Sequence, residues 1–166
     1  MTRKNGKNQG FSLVELVVVI VIIGILAAIA IPRLSRGASG ASESAVIANL
    51  TNVRHALSIY FVEHNNKYPN GADSDAIVAQ LTKYSSVTGA TSDTKDSTHR
   101  FGPYLASMPG CPVGENAGSN KILVSADSPP TVVTTGGEGW VYNKTTGEFL
   151  ANTQEKDGAD KAFNTY

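Results

Sequence analysis

Residues 7–16 read KNQGFSLVEL, and this junction decides how the chain is organised. Residues 1–10 carry three basic side chains and no acidic one. From residue 11 to residue 31 the sequence is almost entirely apolar, and Glu15 is its one charged residue. A charged side chain near the centre of a membrane span costs about 2.5–3.5 kcal/mol on insertion scales. We therefore expect a chain that keeps such a carboxylate to use it.

The apolar stretch has the length of a membrane-spanning helix. Residues 11–31 number 21, and at about 1.5 Å per residue such a helix spans roughly 31 Å, the thickness of the hydrocarbon core. Glu15 is predicted to lie at the cytoplasmic boundary. The basic residues before the span favour a cytoplasmic N-terminus, and the two arginines after it weaken that bias without reversing it. These residues are Arg3, Lys4, Lys7, Arg33 and Arg36.

Two other interpretations of this stretch stay open. A secretory signal peptide also has a basic start and an apolar region, and Ala28-Ile29-Ala30 is a small-x-small site at which such a signal is cut. A plain, uncleaved membrane anchor is the second alternative. Three features argue against the secretory signal: the carboxylate of Glu15, the Gly-Phe-Ser junction, and the helical pattern that continues after Pro32.

The run GFSLVEL at residues 10–16 resembles the class III signal of type IV pilins and type II secretion pseudopilins. The resemblance implies that a prepilin peptidase cuts between Gly10 and Phe11 and methylates the new N-terminus at Phe11. It also implies that Glu15 neutralises the new amine, in its own chain or in a neighbour, and so sets the register of assembly. Gly24 and Pro32 match the places where the long helix of the family loosens or bends, and Pro32 removes a backbone donor there.

A second helical pattern follows the membrane segment. Apolar and aromatic side chains recur at spacings of three and four, which predicts an amphipathic helix over residues 42–65 with its stripe under a globular head. Between the two patterns, residues 35–42 are rich in glycine and serine and are either a linker or the weak middle of one long helix. The stripe consists of Val46, Leu50, Val53, Leu57, Tyr60, Phe61 and His64.

The remainder of the chain predicts a small head built on a sheet. A short helix is expected over residues 74–84 with Asp73 as its N-cap, and strands over residues 121–125 and, more weakly, 131–134. Two further strands, 139–142 and 148–151, flank a turn that ends in Gly147, which is a hairpin signal.

The fold class is therefore α+β: a long N-terminal helix, half transmembrane and half amphipathic, packed on a small antiparallel sheet. The hairpin sequence also resembles the heads of major, G-type pseudopilins.

The predicted organisation has three parts: a leader at residues 1–10, a transmembrane helix and filament core at 11–32, and a periplasmic pilin-like head at 33–166. Without the leader, eleven basic residues face fourteen acidic ones, which does not suggest a nucleic-acid binder. The sequence shows no phosphate loop, nucleophile elbow or Cys/His metal cluster, so no enzymatic activity is expected. Asp157 and Asp160 in the tail are the one candidate calcium site; otherwise no cofactor is expected.

The resemblance implies a structural subunit of a type II secretion pseudopilus, held in the bacterial inner membrane with its head in the periplasm. Its expected partners are further copies in a helical filament, minor pseudopilins, the prepilin peptidase and the inner-membrane assembly platform. A type IV pilin for adhesion, motility or DNA uptake is the first alternative. A membrane-anchored or secreted binding domain is the second.

Overall fold

The computed structural model describes residues 11–166, except for the side chains of residues 31–38. The chain divides into two compact units, Met1–Ala38 and Ser39–Tyr166. Helix α1 runs from Leu13 to Glu63 and contributes to both. The leader 1–10 predicted from the sequence, with Gly10 at its end, lies outside the described residues.

Helix α1 is continuous where the sequence left two interpretations open. Residues 35–42, although rich in glycine and serine, belong to the helix and are not a linker. The helix also continues through Gly24 and Pro32 without interruption, so neither residue ends it. The bend that the resemblance implies at these two positions stays a prediction.

The amphipathic half of α1 buries the stripe predicted from its spacing. Val46, Leu50, Val53, Leu57, Tyr60 and His64 are each at most 2% exposed, whereas Phe61 is only partly buried. The helix ends at Glu63, within two residues of the prediction, because Asn65 and Asn66 adopt left-handed backbone angles, with φ of 55° and 56°. Asparagine tolerates that conformation better than most residues, so it is a natural helix terminator.

Helix α2, Ser74–Thr82, begins as predicted: the Asp73 carboxylate accepts the N–H of Ala76 at 2.9 Å. Ile77 and Leu81 of this helix are buried in the core. Two short strands follow, β1 at Tyr84–Ser85 and β2 at Thr91–Ser92, and they pair antiparallel.

The main sheet has three strands in the order β3-β4-β5: Ile122–Ser125, Trp140–Asn143 and Phe149–Ala151. The predicted hairpin is confirmed, because β4 and β5 pair antiparallel with Tyr142 opposite Phe149. The sheet is not antiparallel throughout, however, because β3 runs parallel to β4 with Ile122 opposite Trp140. The fold class, α+β with a pilin-like architecture, is confirmed.

The weak strand predicted over residues 131–134 is wrong, because no strand forms there. Thr134–Gly136 is instead a single turn of 3-10 helix. A side chain takes the place of the missing strand partner: the Asn152 amide accepts the N–H of Val133 at 2.9 Å and donates to the Val133 carbonyl at 2.7 Å. The backbone N–H and carbonyl of Val133 are therefore satisfied although the residue does not join the sheet.

One hydrophobic core holds the head together. The buried face of α1 shares it with residues from α2, the sheet and the connector at 101–113. Trp140 is completely buried and donates its indole N–H to the Pro109 carbonyl at 2.7 Å. Tyr142 is also completely buried, and its hydroxyl donates to the Pro69 carbonyl at 3.0 Å. Both aromatic side chains thus satisfy their polar atoms inside the core.

Candidate functional site

The start of α1 is built around Ser12 and Glu15. The backbone N–H of Ser12 donates to Glu15 Oε2 at 2.9 Å, and the N–H of Val14 donates to Ser12 Oγ at 3.2 Å. This arrangement is a form of the capping box: Glu15 reaches back to the N–H of the N-cap residue Ser12, and the Ser12 hydroxyl accepts from the second helical residue, Val14. The Ser-x-x-Glu spacing that produces it is readable in the sequence, although the charge of Glu15 alone does not reveal it.

Phe11 directly precedes the cap. It lies outside the helix and is 87% exposed. The carboxylate of Glu15 is hydrogen-bonded to the N–H of the very next residue, Ser12. The structure thus brings Glu15 to within one residue of the nitrogen that the predicted cleavage would free.

The apolar surface of α1 continues from this cap without a buried face. The segment Leu13–Ala30 is long and apolar enough to cross a membrane, with a mean hydropathy of 3.1 and no buried residue. Its large side chains are between 43% and 80% exposed. Such a surface is stable only where lipid or other apolar helices cover it.

A smaller apolar surface lies on the outward face of α1 within the head. Ile47, Ile59 and Val62 are 41%, 39% and 75% exposed, although each lies on a helix whose other face is buried. Ile59 and Val62 line a shallow, mostly apolar cleft of about 370 Å³ together with His55, Ser58 and Glu63. We call Ile47, Ile59 and Val62 the outer stripe.

His64 shows why a buried titratable group on α1 is not a candidate catalyst or ligand. Its ring stacks on Tyr60 with the centroids 3.6 Å apart. Nδ1 lies 2.8 Å from the Tyr60 carbonyl and Nε2 lies 3.0 Å from Ser85 Oγ. Because a carbonyl can only accept, Nδ1 donates to Tyr60, and Nε2 is hydrogen-bonded to the serine hydroxyl. Both ring nitrogens are therefore used within the core.

The tail uses its acidic residues in its own hydrogen bonds. Asp157 Oδ1 accepts the N–H groups of Ala159 and Lys161 at 2.8 and 2.9 Å, and Asp157 Oδ2 is hydrogen-bonded to the Tyr166 hydroxyl. The hydrogen bond from Tyr166 is the main reason that the pKa of Asp157 is lowered.

Asp160, the other residue of the candidate calcium site, accepts from Lys156 Nζ at 2.9 Å. Calcium binds six to eight oxygens, and within residues 11–166 no cluster of three or more acidic, His or Cys side chains could hold a metal. The pair Asp157 and Asp160 does not by itself fit such an ion.

Two side chains of α1 hold the tail against the head. Arg54 donates through Nε and Nη2 to the Phe149 carbonyl at 3.0 and 2.8 Å, and Nη2 also donates to the Tyr166 carbonyl at 2.5 Å. Glu43 Oε1 accepts the N–H of Gly158 at 3.0 Å. These partners are about 100 residues away along the chain, so the spacing of residues in the sequence could not predict the contacts.

Comparison with known proteins identifies the N-terminal segment. Residues 5–31 match the family model described as the prokaryotic N-terminal methylation motif. No curated protein and no solved structure matches the chain. The motif is a prepilin signal of the kind found in type IV pilin-like and pseudopilin-like proteins, which are structural subunits. Together with the apolar helix Leu13–Ala30, it fits a membrane-anchored, pilin-like protein that is processed by a prepilin peptidase and assembles into a filament.

Proposed function

We propose that the protein is a structural subunit of a type II secretion pseudopilus. The observation that carries this proposal is the pairing of a methylation motif with an apolar helix that the chain itself leaves uncovered. Lipid covers this surface before assembly, and the same helices of neighbouring copies cover it in the filament. Transfer from lipid to an apolar helix bundle keeps the surface out of water throughout.

The role proposed for Glu15 follows from the cap. Cleavage before Phe11 converts its amide nitrogen into a positively charged amine, next to the N–H that Glu15 already accepts. In an apolar surrounding, an opposite charge within about 4–6 Å strongly favours the ionised pair. A pair formed with the amine of a neighbouring copy holds two subunits at a defined axial offset. We propose Glu15 as the residue that sets the filament register.

The outer stripe supports a filament role for the head as well. Ile47, Ile59 and Val62 lie on the same helix as the membrane segment and are exposed in the single chain. Contact with a neighbouring subunit would bury them, as it buries the membrane half.

The proposed location of the subunit and its proposed partners follow from this assembly. The subunit is held in the inner membrane in a single pass, with its N-terminus cytoplasmic and its head periplasmic. It is processed by the prepilin peptidase, and it joins minor pseudopilins on the inner-membrane assembly platform. We favour a pseudopilus over a type IV pilus because the sequence has a single cysteine and hence lacks the paired C-terminal cysteines common in those pilins.

The first experiment is mass analysis of the mature N-terminus from the native host. A chain that begins with methylated Phe11 supports the proposal. A chain that begins at Ile31 shows a secretory signal instead, and a chain that keeps residues 1–10 beside an active prepilin peptidase rejects processing altogether.

The second experiment deletes the gene. Loss of protein secretion with normal surface pili is expected of a pseudopilin. Loss of surface pili or twitching with normal secretion would instead identify a type IV pilin.

A further inference from the structure

An open, polar cleft of about 390 Å³ lies at the C-terminal end of α1, where it meets the turn between β4 and β5. Its volume is within the range of about 300–1,000 Å³ typical of small-molecule sites. Nothing in the assembly proposed above uses it. Its lining residues are Asn66, Lys67, Tyr68, Asn70, Lys144 and Thr145, and we call it the two-lysine cleft.

The two-lysine cleft is positively charged. Lys67 comes from the segment after α1 and Lys144 from the hairpin turn, and no acidic side chain lines the space between them. Within residues 11–166, neither lysine is paired with a carboxylate in a salt bridge. This contrasts with the excess of acidic residues in the chain beyond its first ten positions. An anionic group is therefore the ligand that the charges favour.

Tyr68 gives the cleft a fixed aromatic wall. Its ring packs on Phe61 with the centroids 4.5 Å apart. On another side it lies against Gly147, where an added Cβ would come within 2.3 Å of the ring. Gly147 has φ of 78°, so glycine both permits the turn and makes room for the tyrosine.

Both turns that carry the lysines are held by hydrogen bonds. In the hairpin turn, Asn143 Oδ1 accepts the N–H groups of Thr145 and Thr146 at 2.7 and 3.1 Å, and the Asn143 carbonyl accepts the N–H of Gly147 at 2.8 Å. After α1, the N–H of Asn66 donates to the Phe61 carbonyl at 2.9 Å. Because the walls are ordered without a ligand, binding loses little conformational entropy to ordering them.

The remaining lining groups narrow the chemistry of the ligand. Asn66 and Asn70 offer amide donors and acceptors, and Thr145 offers a hydroxyl. Peptides usually dock on sheet edges, in apolar grooves or, when acidic, on arginine clusters, and nucleic acids need an extended basic stripe; the two-lysine cleft is none of these, and no arginine lines it. A ring with several hydroxyls and one carboxylate satisfies the lysines, the amides and the aromatic wall together. We propose that the cleft binds a sugar acid, with its carboxylate between Lys67 and Lys144 and its ring against Tyr68.

The test is calorimetric titration of the full-length protein in detergent with digalacturonate. Saturable binding is expected, and Lys67→Gln or Lys144→Gln should each weaken it at least about tenfold, because each removes a charged hydrogen-bond partner of the carboxylate. Lys95→Gln is the matched control, since Lys95 is an exposed lysine that does not line the cleft. This control should leave the affinity unchanged.

Four results would overturn the proposal. These are no binding of digalacturonate at millimolar concentration, an equal loss of affinity in the Lys95 control, equal affinity for the neutral methyl ester, and equal affinity for inorganic phosphate or an acidic peptide. The last would identify a general anion site, and the third would show that the carboxylate is not recognised.

Discussion

The N–H of Ser12 donates to Glu15 Oε2 across 2.9 Å, which closes a capping box at the first turn of α1. The same carboxylate thus has a structural partner in the full-length chain and, by our proposal, an amine partner after cleavage. Its two roles require different properties, because a cap needs only an acceptor oxygen whereas an ion pair needs charge.

Glu15→Gln separates the two roles. Glutamine can fill the same capping position but carries no charge, so we expect normal cleavage and methylation with few or no filaments. Glu15→Ala should behave in the same way. Ser12→Ala is the control that removes the hydroxyl cap and keeps the carboxylate, and it should still assemble. Filaments are counted by electron microscopy of the isolated cell envelope of an overproducing strain, and normal filaments from Glu15→Gln would contradict a role for the charge.

Arg54→Lys should destabilise the head. The guanidinium bonds the carbonyls of both Phe149 and Tyr166, and a single ammonium cannot reproduce that fork. We expect the free energy of unfolding in urea to fall by about 1.5–3 kcal/mol, the range for hydrogen bonds to charged groups. Arg100→Lys, at an exposed loop position, should change it little. An equal decrease in the free energy of unfolding for the two substitutions would show that the forked hydrogen bonds of Arg54 do not stabilise the head.

Trp140→Ala should lower the free energy of unfolding by more than Arg54→Lys does. Trp140 is completely buried and bonded to the Pro109 carbonyl, so truncation leaves a cavity and an unpaired carbonyl. Large aromatic-to-alanine changes cost about 3–5 kcal/mol. The loss is measured by far-UV circular dichroism in urea. Tryptophan fluorescence cannot be used, because the substitution removes the only tryptophan. Val133→Ala, at a 43% exposed side chain, should cost far less.

The thiol of Cys111 should not react in the folded protein. It is completely buried and donates to the Val113 carbonyl at 3.3 Å, and burial raises its pKa. Because the thiolate is the reactive form, a thiol-specific reagent should label it only after denaturation. Rapid labelling of the native chain would mean that this part of the head opens readily.

The docking of the tail should weaken in acid. The hydrogen bond from Tyr166 lowers the pKa of Asp157 in the folded chain. A lowered pKa means that the ionised form stabilises the folded tail at neutral pH, and that this contribution is lost as the pH falls below the ordinary value of about 3.9. The protection factor of the Lys161 amide, which is its intrinsic exchange rate at a given pH divided by its measured rate, should therefore fall in acid. Asp157→Asn should remove most of that pH dependence, whereas Asp93→Asn, outside the tail, should not.

Local patterns were enough to predict the parts of the fold that depend on nearby residues. The spacing of Val46, Leu50 and Val53 identified the buried face of α1, and Asp73 was correctly predicted to cap α2. The turn that ends in Gly147 identified the β4–β5 hairpin. Each of these depends on hydrogen bonds or periodicity within a few residues.

The parts that were missed depend on partners far along the chain. The parallel pairing of β3 with β4 joins residues about 18 positions apart through an intervening loop, and strand direction has no signature in alternation. The segment at 131–134 resembles a strand in composition, but the backbone of Val133 pairs with the side chain of Asn152 instead of a strand. In the candidate site, the charge of Glu15 was recognised, whereas the contacts of Arg54 and the two-lysine cleft required the folded structure.

The capping box also determines where the helix begins and which residues before it are not helical. Phe11 and Ser12 are not helical, since a helix starts only after its N-cap residue. A peptidase that hydrolyses the bond before Phe11 therefore encounters non-helical chain on the downstream side of its target, although the 51-residue helix α1 begins at Leu13. Ser12 and Glu15 would in this way mark the cutting point by halting the helix just short of it, before either takes any part in a filament.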